Sequence, residues 1–174
     1  FIVIVPLVIW SCGSSAEYTS AKMAIEKSNW AEAEEYLFKA LEVEPANAEV
    51  MVQIGYHVHA KKREWTEMNK MFNQAIDIDP SAKVLGRPVT EITKNYRSMF
   101  WAENYNKAIR KYNEARKSQD KPALQSAADL FNETLAIDPS EAQTYSILAN
   151  CYYELGDSEK AVENAKKAHE LMPN

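Results

Sequence analysis

The sequence predicts an all-α solenoid of paired helices, and three observations carry that prediction. An Ala- and Leu-rich helical ending closed by proline recurs four times along the chain. Glycine and proline, 4 and 7 in 174 residues, are too scarce for a linker or a collagen-like chain, and the strand-and-turn signals of an all-β sandwich are few. Apolar residues make up 46% of the chain, enough for one core or for a row of small repeats that share one. A net charge of −5 argues against nucleic acid as a partner, because phosphates call for a clustered basic face. Two cysteines cannot make a disulfide scaffold.

The first segment reads as an address. Residues 1–10, FIVIVPLVIW, form an uncharged run too short to span a bilayer, which takes about 20 residues, and of the length of a secretory h-region. No initiating Met or basic stretch precedes it, so the start is expected to be truncated. Ile9, Ser11 and Cys12 close the run, followed by Gly13-Ser14-Ser15. This segment resembles the lipobox of bacterial lipoproteins, with Trp10 a departure where a small or branched residue is usual. The resemblance implies removal of residues 1–11, lipidation of Cys12, and a periplasm-facing membrane anchor in the cell envelope. Gly13, rather than Asp, implies the outer membrane.

Four endings organise the rest: Ala40-Leu41-Glu42-Val43-Glu44-Pro45, Ala75-Ile76-Asp77-Ile78-Asp79-Pro80, Thr134-Leu135-Ala136-Ile137-Asp138-Pro139 and Ala168-His169-Glu170-Leu171-Met172-Pro173. Their prolines stand 35, 59 and 34 residues apart, two repeat lengths and one interval about 25 residues longer. Proline ends a helix because it donates no backbone hydrogen bond and pushes the preceding residue out of the helical region. Repeat one holds Ala21 and Ala24, then Ala33, Leu37 and Ala40. Repeat two holds Met51, Ile54, Gly55 and Val58, then Met68, Phe72 and Ala75, with one added residue expected at its turn. Repeat three has Tyr105, Ala108, Ile109 and Tyr112, then Ala127 and Phe131. Repeat four has Tyr145, Leu148, Ala149 and Tyr152, a turn at Gly156-Asp157, then Ala161, Ala165 and Ala168.

This order of large and small residues at a period near 34 resembles the tetratricopeptide repeat (TPR), a helix-turn-helix unit. The resemblance covers residues 14–174 apart from the insertion. It implies repeats one and two over 16–82, an inserted segment and long-helix start over 83–101, repeat three over 102–141 and repeat four over 142–174. Helices are expected at 16–28, 30–43, 48–62, 64–78, 89–118, 122–137, 142–155 and 158–171. Small residues such as Gly55, Ala149, Ala33 and Ala161 let helices approach, and Tyr152, Phe72 and Phe131 fill the space beside them. Each pair is too small to bury its own apolar face, so neighbours must stack. The array is expected to continue past Asn174, since the fourth repeat has the strongest motif where a terminal repeat would be atypical.

The long interval is the individual feature. After Pro88 and Thr90 the pattern stays helical to about Arg116, so the first helix of repeat three is elongated and starts several turns early. Tyr96, Phe100 and Trp101 give its early part an aromatic cluster, which either packs on repeat two or forms an exposed partner-binding ridge. An enlarged turn is expected around 117–122.

Candidate chemistry is thin. The sequence has no glycine-rich phosphate loop and no nucleophile elbow. His57 and His59 are two residues apart and point apart on a helix, a poor metal pair. Cys151, between Leu148 and Tyr152, reads as a packed thiol. Glu32, Glu34 and Glu35 read as a solvated face, and Asn132-Glu133-Thr134 is a mid-helix sequon. No catalytic residue, metal site or cofactor is expected, and the protein is not expected to be an enzyme.

What the resemblance implies instead is a groove, lined by the second, fifth, ninth and twelfth positions of each first helix. These are Glu49, Val52, Tyr56 and His59 in repeat two and Gln143, Ser146, Asn150 and Tyr153 in repeat four. Asn150 matches the residue with which some family members clamp a terminal carboxylate, but Ser146 replaces the lysine, so that activity is not implied. The expected function is a membrane-tethered scaffold for a protein or peptide partner. The alternative is a glycan- or nutrient-binding envelope lipoprotein, whose long added ligand domains this chain lacks.

Overall fold

The computed structural model describes residues 14–172, eight helices and one small hairpin; Cys12 lies outside the described residues. The helices pair in sequence: α1 (Ala16–Glu26) with α2 (Trp30–Val43), α3 (Ala48–Ile54) with α4 (Trp65–Ile78), α5 (Val89–Ser118) with α6 (Lys121–Ile137), and α7 (Ala142–Leu155) with α8 (Ser158–Leu171). The all-α, TPR-like architecture expected from the sequence is the one observed. Side chains cap several of the starts. Ser15 Oγ accepts from the Tyr18 N–H at 3.1 Å, Asn47 Oδ1 from Glu49 and Val50 at 3.0 and 3.2 Å, and Asp157 Oδ1 from Lys160 at 3.1 Å. Each such cap contributes about 1 kcal/mol. Pro45, Pro80 and Pro139 each follow a helix end by two residues.

Three local features differ from the expectation. The added residue of repeat two does not enlarge its turn. It is absorbed inside the helix, where α3 runs on into a π turn at Gly55–His59, with the Ala60 N–H bonding the Gly55 carbonyl at 2.9 Å. Residues 117–122 hold no enlarged turn either: α5 and α6 are both long, and only Gln119 and Asp120 separate them. Gln119 takes the left-handed conformation that stops α5, and Asp120 Oδ1 caps α6. Between α4 and α5 lies a hairpin, β1 (Lys83–Val84) against β2 (Arg87–Pro88), turned through Leu85 and Gly86, both at positive φ. Its Val84 is fully buried.

Thirty residues at 1.5 Å each make α5 about 45 Å long, and it serves two cores. Its first half packs Val89, Ile92, Tyr96, Phe100 and Trp101 against Val52, Trp65 and Phe72 of repeat two. Its second half packs Ala108, Tyr112 and Ala115 against Leu124, Phe131, Leu148 and Tyr152 of the last two repeats. A third cluster joins Tyr18, Leu37 and Ala40 to Val50 and Ile54. Tyr56 stacks on Tyr96 at 4.2 Å between ring centres. The matching motif position on α5 is Arg110, 14 residues or about 21 Å further along the helix, so repeat three meets repeat two out of register. The return helix is shifted in the same sense: Asn69, in the first turns of α4, bonds the carbonyls of Ala136 and Ile137 at the far end of α6.

Gly55 is where repeat two closes. A Cβ built there would stand 2.5 Å from Phe72 Cε1, so the bare backbone lets the ring lie on the helix. Gly55→Ala should displace that ring and destabilise the fold by about 1–3 kcal/mol, as overpacking does. The exposed Ser98→Ala on α5 should stay within about 0.5 kcal/mol of wild type, both read from urea midpoints.

His57, in the π turn, stacks on Trp30 at 5.7 Å, and its Nδ1 is buried without a hydrogen-bond partner among the described residues. Burial, and secondarily the Lys61 charge, lower its pKa from 6.5 to about 4. The unfolded chain therefore takes up a proton that the folded state refuses, so this contribution is full above pH 6.5 and is lost as pH falls towards 4. Melting temperatures at about pH 7.5 and about pH 5 check this: His57→Phe should lose less stability on acidification than wild type.

Candidate interaction surface

The last two repeats present the open face. Helices α5 and α7 lie parallel and side by side. They are tied by Trp101 Nε1 donating to Thr144 Oγ1 at 3.0 Å, Tyr112 Oη donating to Glu154 Oε1 at 3.0 Å, and an Arg116–Glu154 ion pair at 2.9 Å. Glu154 thus anchors two side chains of α5. Its charge adds to burial in raising the Tyr112 hydroxyl to about 12.

On α7, Gln143 and Asn150 are exposed, Tyr153 is 76% exposed, and Ser146 is half-buried with its hydroxyl donating to the Ala142 carbonyl at 3.3 Å. Glu103, Asn106, Arg110 and Asn113 stand at the corresponding positions of α5, and all four are exposed. Sequence reasoning missed these four, although Tyr105-x2-Ala108-Ile109-x2-Tyr112 already sets their register. The two stripes combine amide groups able to pair with a peptide main chain, one guanidinium, one carboxylate, one hydroxyl and one uncovered aromatic ring. They can bind; they carry no nucleophile beside a base.

Repeat two offers no such face. Val52 is fully buried in the core with Val84, Val89 and Ile92, because the hairpin and the start of α5 cover it. Tyr56 is half-buried between Tyr96 and Phe100. Glu49 sits beside the buried Tyr18 hydroxyl, whose pKa it helps burial to raise. The Nδ1 of His59 stands 2.7 Å from Glu64 Oε2, and its ring meets Phe38 edge-on. The four expected groove residues of repeat two therefore serve internal packing. The aromatic ridge is corrected as well. Tyr96, Phe100 and Trp101 are half-buried against repeat two rather than displayed, for the same reason: α5 begins early enough to lie across it.

The remaining candidates resolve into structure. Burial, with a smaller push from Glu154, raises the Cys151 thiol to about 12, so it packs as a neutral group. Within the sequon, Asn132 donates to the Tyr152 hydroxyl at 3.0 Å, and the buried Thr134 hydroxyl donates to the Phe131 carbonyl at 2.7 Å. Among the described residues, no group of three His, Cys, Asp or Glu is placed to hold a metal ion, and no helix is long and apolar enough to cross a membrane.

Residues 142–174 match the family model described as Tetratricopeptide repeat, a span that takes in both α7 and α8. No curated protein matches the chain. Similar solved structures include YrrB, described as a TPR protein with an unusual peptide-binding site, at 18% identity and a TM-score of 0.38, covering 93% of this chain and 88% of that one. They also include two crystal structures of MamA. One has 16% identity and a TM-score of 0.35, covering 88% of this chain and 74% of its own. The other has 18% identity and a TM-score of 0.34, covering 89% of each. At such scores no residue role passes from them to this chain. The helix pair α7–α8, which carries half of the open face, is the part of the array that matches the tetratricopeptide repeat.

Proposed function

We propose that the protein is a non-catalytic scaffold that holds a protein or peptide partner on the joint face of α5 and α7, and that Cys12 tethers it by a lipid anchor in the bacterial envelope, facing the periplasm from the outer membrane. The observation that carries the binding half is the uncovered stripe of Gln143, Asn150 and Tyr153 on the TPR-matching helix pair, continued by Asn106, Arg110 and Asn113. A large ring left 76% exposed on a rigid helix is the kind of group that anchors an interface. The tethering half rests on the apolar run that ends at Cys12. A diacylated cysteine supplies two chains, and two are needed for stable anchoring where one is marginal. The glycan-binding alternative gains nothing from Trp101, whose half-buried ring stacks on Tyr105 and whose Nε1 donates to Thr144.

Cross-linked capture from membranes of the source cells tests the scaffold. One discrete partner should be recovered with wild type and reduced about tenfold by Tyr153→Ala with Asn150→Ala, the loss of one to two interface anchors. Equal recovery by the double variant overturns the assignment of the face.

Fractionation of the full gene product tests the anchor. Wild type should sediment with membranes and Cys12→Ser should be released. Identical distribution of the two forms, in either fraction, would reject it.

A further inference from the structure

Opposite to the open face, the stagger of the two halves creates a second site. Helix α4 brings Asn69 and Asn73, α5 brings Lys94 and Arg97, and the α6–α7 turn brings Asp138 and Ser140 around a pocket of about 510 Å³. Arg97 is half-buried in it. Its Nε donates to Asn69 Oδ1 at 2.6 Å and its Nη2 to Asn73 Oδ1 at 2.7 Å. Both partners are neutral, and neither Arg97 nor Lys94 takes part in an ion pair among the described residues. The guanidinium also lies 5.5 Å over the Phe72 ring, and no carboxylate oxygen comes within ion-pair distance of it among the described residues, so its charge is only partly compensated where it is half-buried. Burial lowers the Arg97 pKa, and the Asp138 charge only partly offsets this. Asp138 is itself engaged, its Oδ1 accepting from the Ser140 N–H at 3.0 Å and the Ser140 hydroxyl at 2.6 Å.

The two asparagines fix the guanidinium and leave one edge open. Nε and one Nη2 hydrogen are committed, whereas Nη1 has no partner among the described residues, so the Nη1–Nη2 fork remains for a bidentate acceptor. Lys94, exposed one helical turn earlier on α5, adds a second positive charge at the rim. Beyond Asn73 the pocket continues into a more open groove lined by Gln74, Lys70 and one carboxylate, Asp77, room for an extended main chain.

We infer that this outer pocket receives a carboxylate side chain from an extended acidic segment of a partner protein, held by the Arg97 fork with Lys94 at the rim. The inference deepens the scaffold reading and rests on it, but it concerns a different face.

Fluorescence anisotropy of the Cys12→Ser full chain with a labelled octapeptide of alternating Glu and Ser, against the same peptide with Gln for Glu, tests it. The Glu peptide should bind and the Gln peptide should not. Arg97→Lys, which keeps the charge and loses the fork, should weaken binding about tenfold. Lys94→Gln, at an exposed position whose loss leaves the fold intact, should weaken it about threefold and flatten its salt dependence. Circular dichroism melting reports whether Arg97→Lys still folds; should it not, Lys94→Gln alone decides. Equal binding of the two peptides, or wild-type affinity in Lys94→Gln together with an unchanged salt dependence, overturns the proposal. Acidic-peptide binding abolished by Tyr153→Ala but unaffected at Lys94 and Arg97 also rejects this pocket while leaving the scaffold standing. Displacement of the Glu peptide by inorganic phosphate far below the concentration of acetate needed would reassign the pocket to phosphate.

Discussion

One rigid helix shared by two cores governs this structure. Helix α5 cannot bend to meet repeat two in the ordinary register, because its first half is committed to Trp65 and Phe72 and its second half to Phe131 and Tyr152. A helix holds its rise per residue, so the distance along α5 between Tyr96 and Arg110 becomes a fixed displacement between the halves of the molecule. Repeats one and two share one cluster and repeats three and four another, and the coupling between neighbours on which a solenoid depends passes through α5 and the α4–α6 contact.

The same commitment decides which surface is free. In repeat two the hairpin and the start of α5 remove Val52 from solvent, and the rings of Tyr96, Tyr56, Phe100 and Trp65 form a chain of contacts across the joint, the first pair stacked and the others tilted. Aromatic pairs at such spacings contribute about 0.5–1.5 kcal/mol each beyond the area they bury. The polar contacts across the joint are weaker supports. The Arg63–Glu133 pair is more than two-fifths exposed at both ends, and pairs of that kind contribute about 0–1 kcal/mol. The joint is therefore held by rings and by the Asn69 bonds to Ala136 and Ile137, while the charged pairs add orientation. Among the described residues, α7 and the second half of α5 keep exposed polar stripes of the kind a binding face needs.

Much of this was legible in the sequence, and the rest was hidden for physical reasons. Proline endings, capping residues and the spacing of Ala, Leu and Phe are local signals, and they located all eight helices to within a few residues, the long one included. A π turn is not local in the same sense. The added residue of repeat two could widen a loop or bulge a helix, and the choice follows from Phe72 pressing on Gly55 across the pair. Likewise the extra residues expected around 117–122 lengthened helices, where Ala115 and Leu124 have partners to pack on. The groove of repeat two failed for want of tertiary knowledge: Val52 stands at a groove position, and nothing in its own segment says that Val84 and Val89 will lie over it. Arg97 was equally silent, since its meaning comes from Asn69 and Asn73, which are far from it in sequence but adjacent in the fold.

The displacement that closes one surface opens another. Were repeat three in register with repeat two, the end of α6 would lie beside the end of α4, and Asn69 would face a mid-helix segment whose carbonyls are already bonded. Sliding the third repeat along brings the last carbonyls of α6, which have no helical partner of their own, to Asn69 Nδ2. With its amide nitrogen so engaged, Asn69 turns its oxygen to Arg97, and the α6–α7 turn carrying Asp138 and Ser140 comes to rest over α4 and α5. The inserted residues thus have one mechanical effect with two outcomes: they seal the inner face of the second repeat, and they assemble an outer pocket from three elements that a regular array would keep apart.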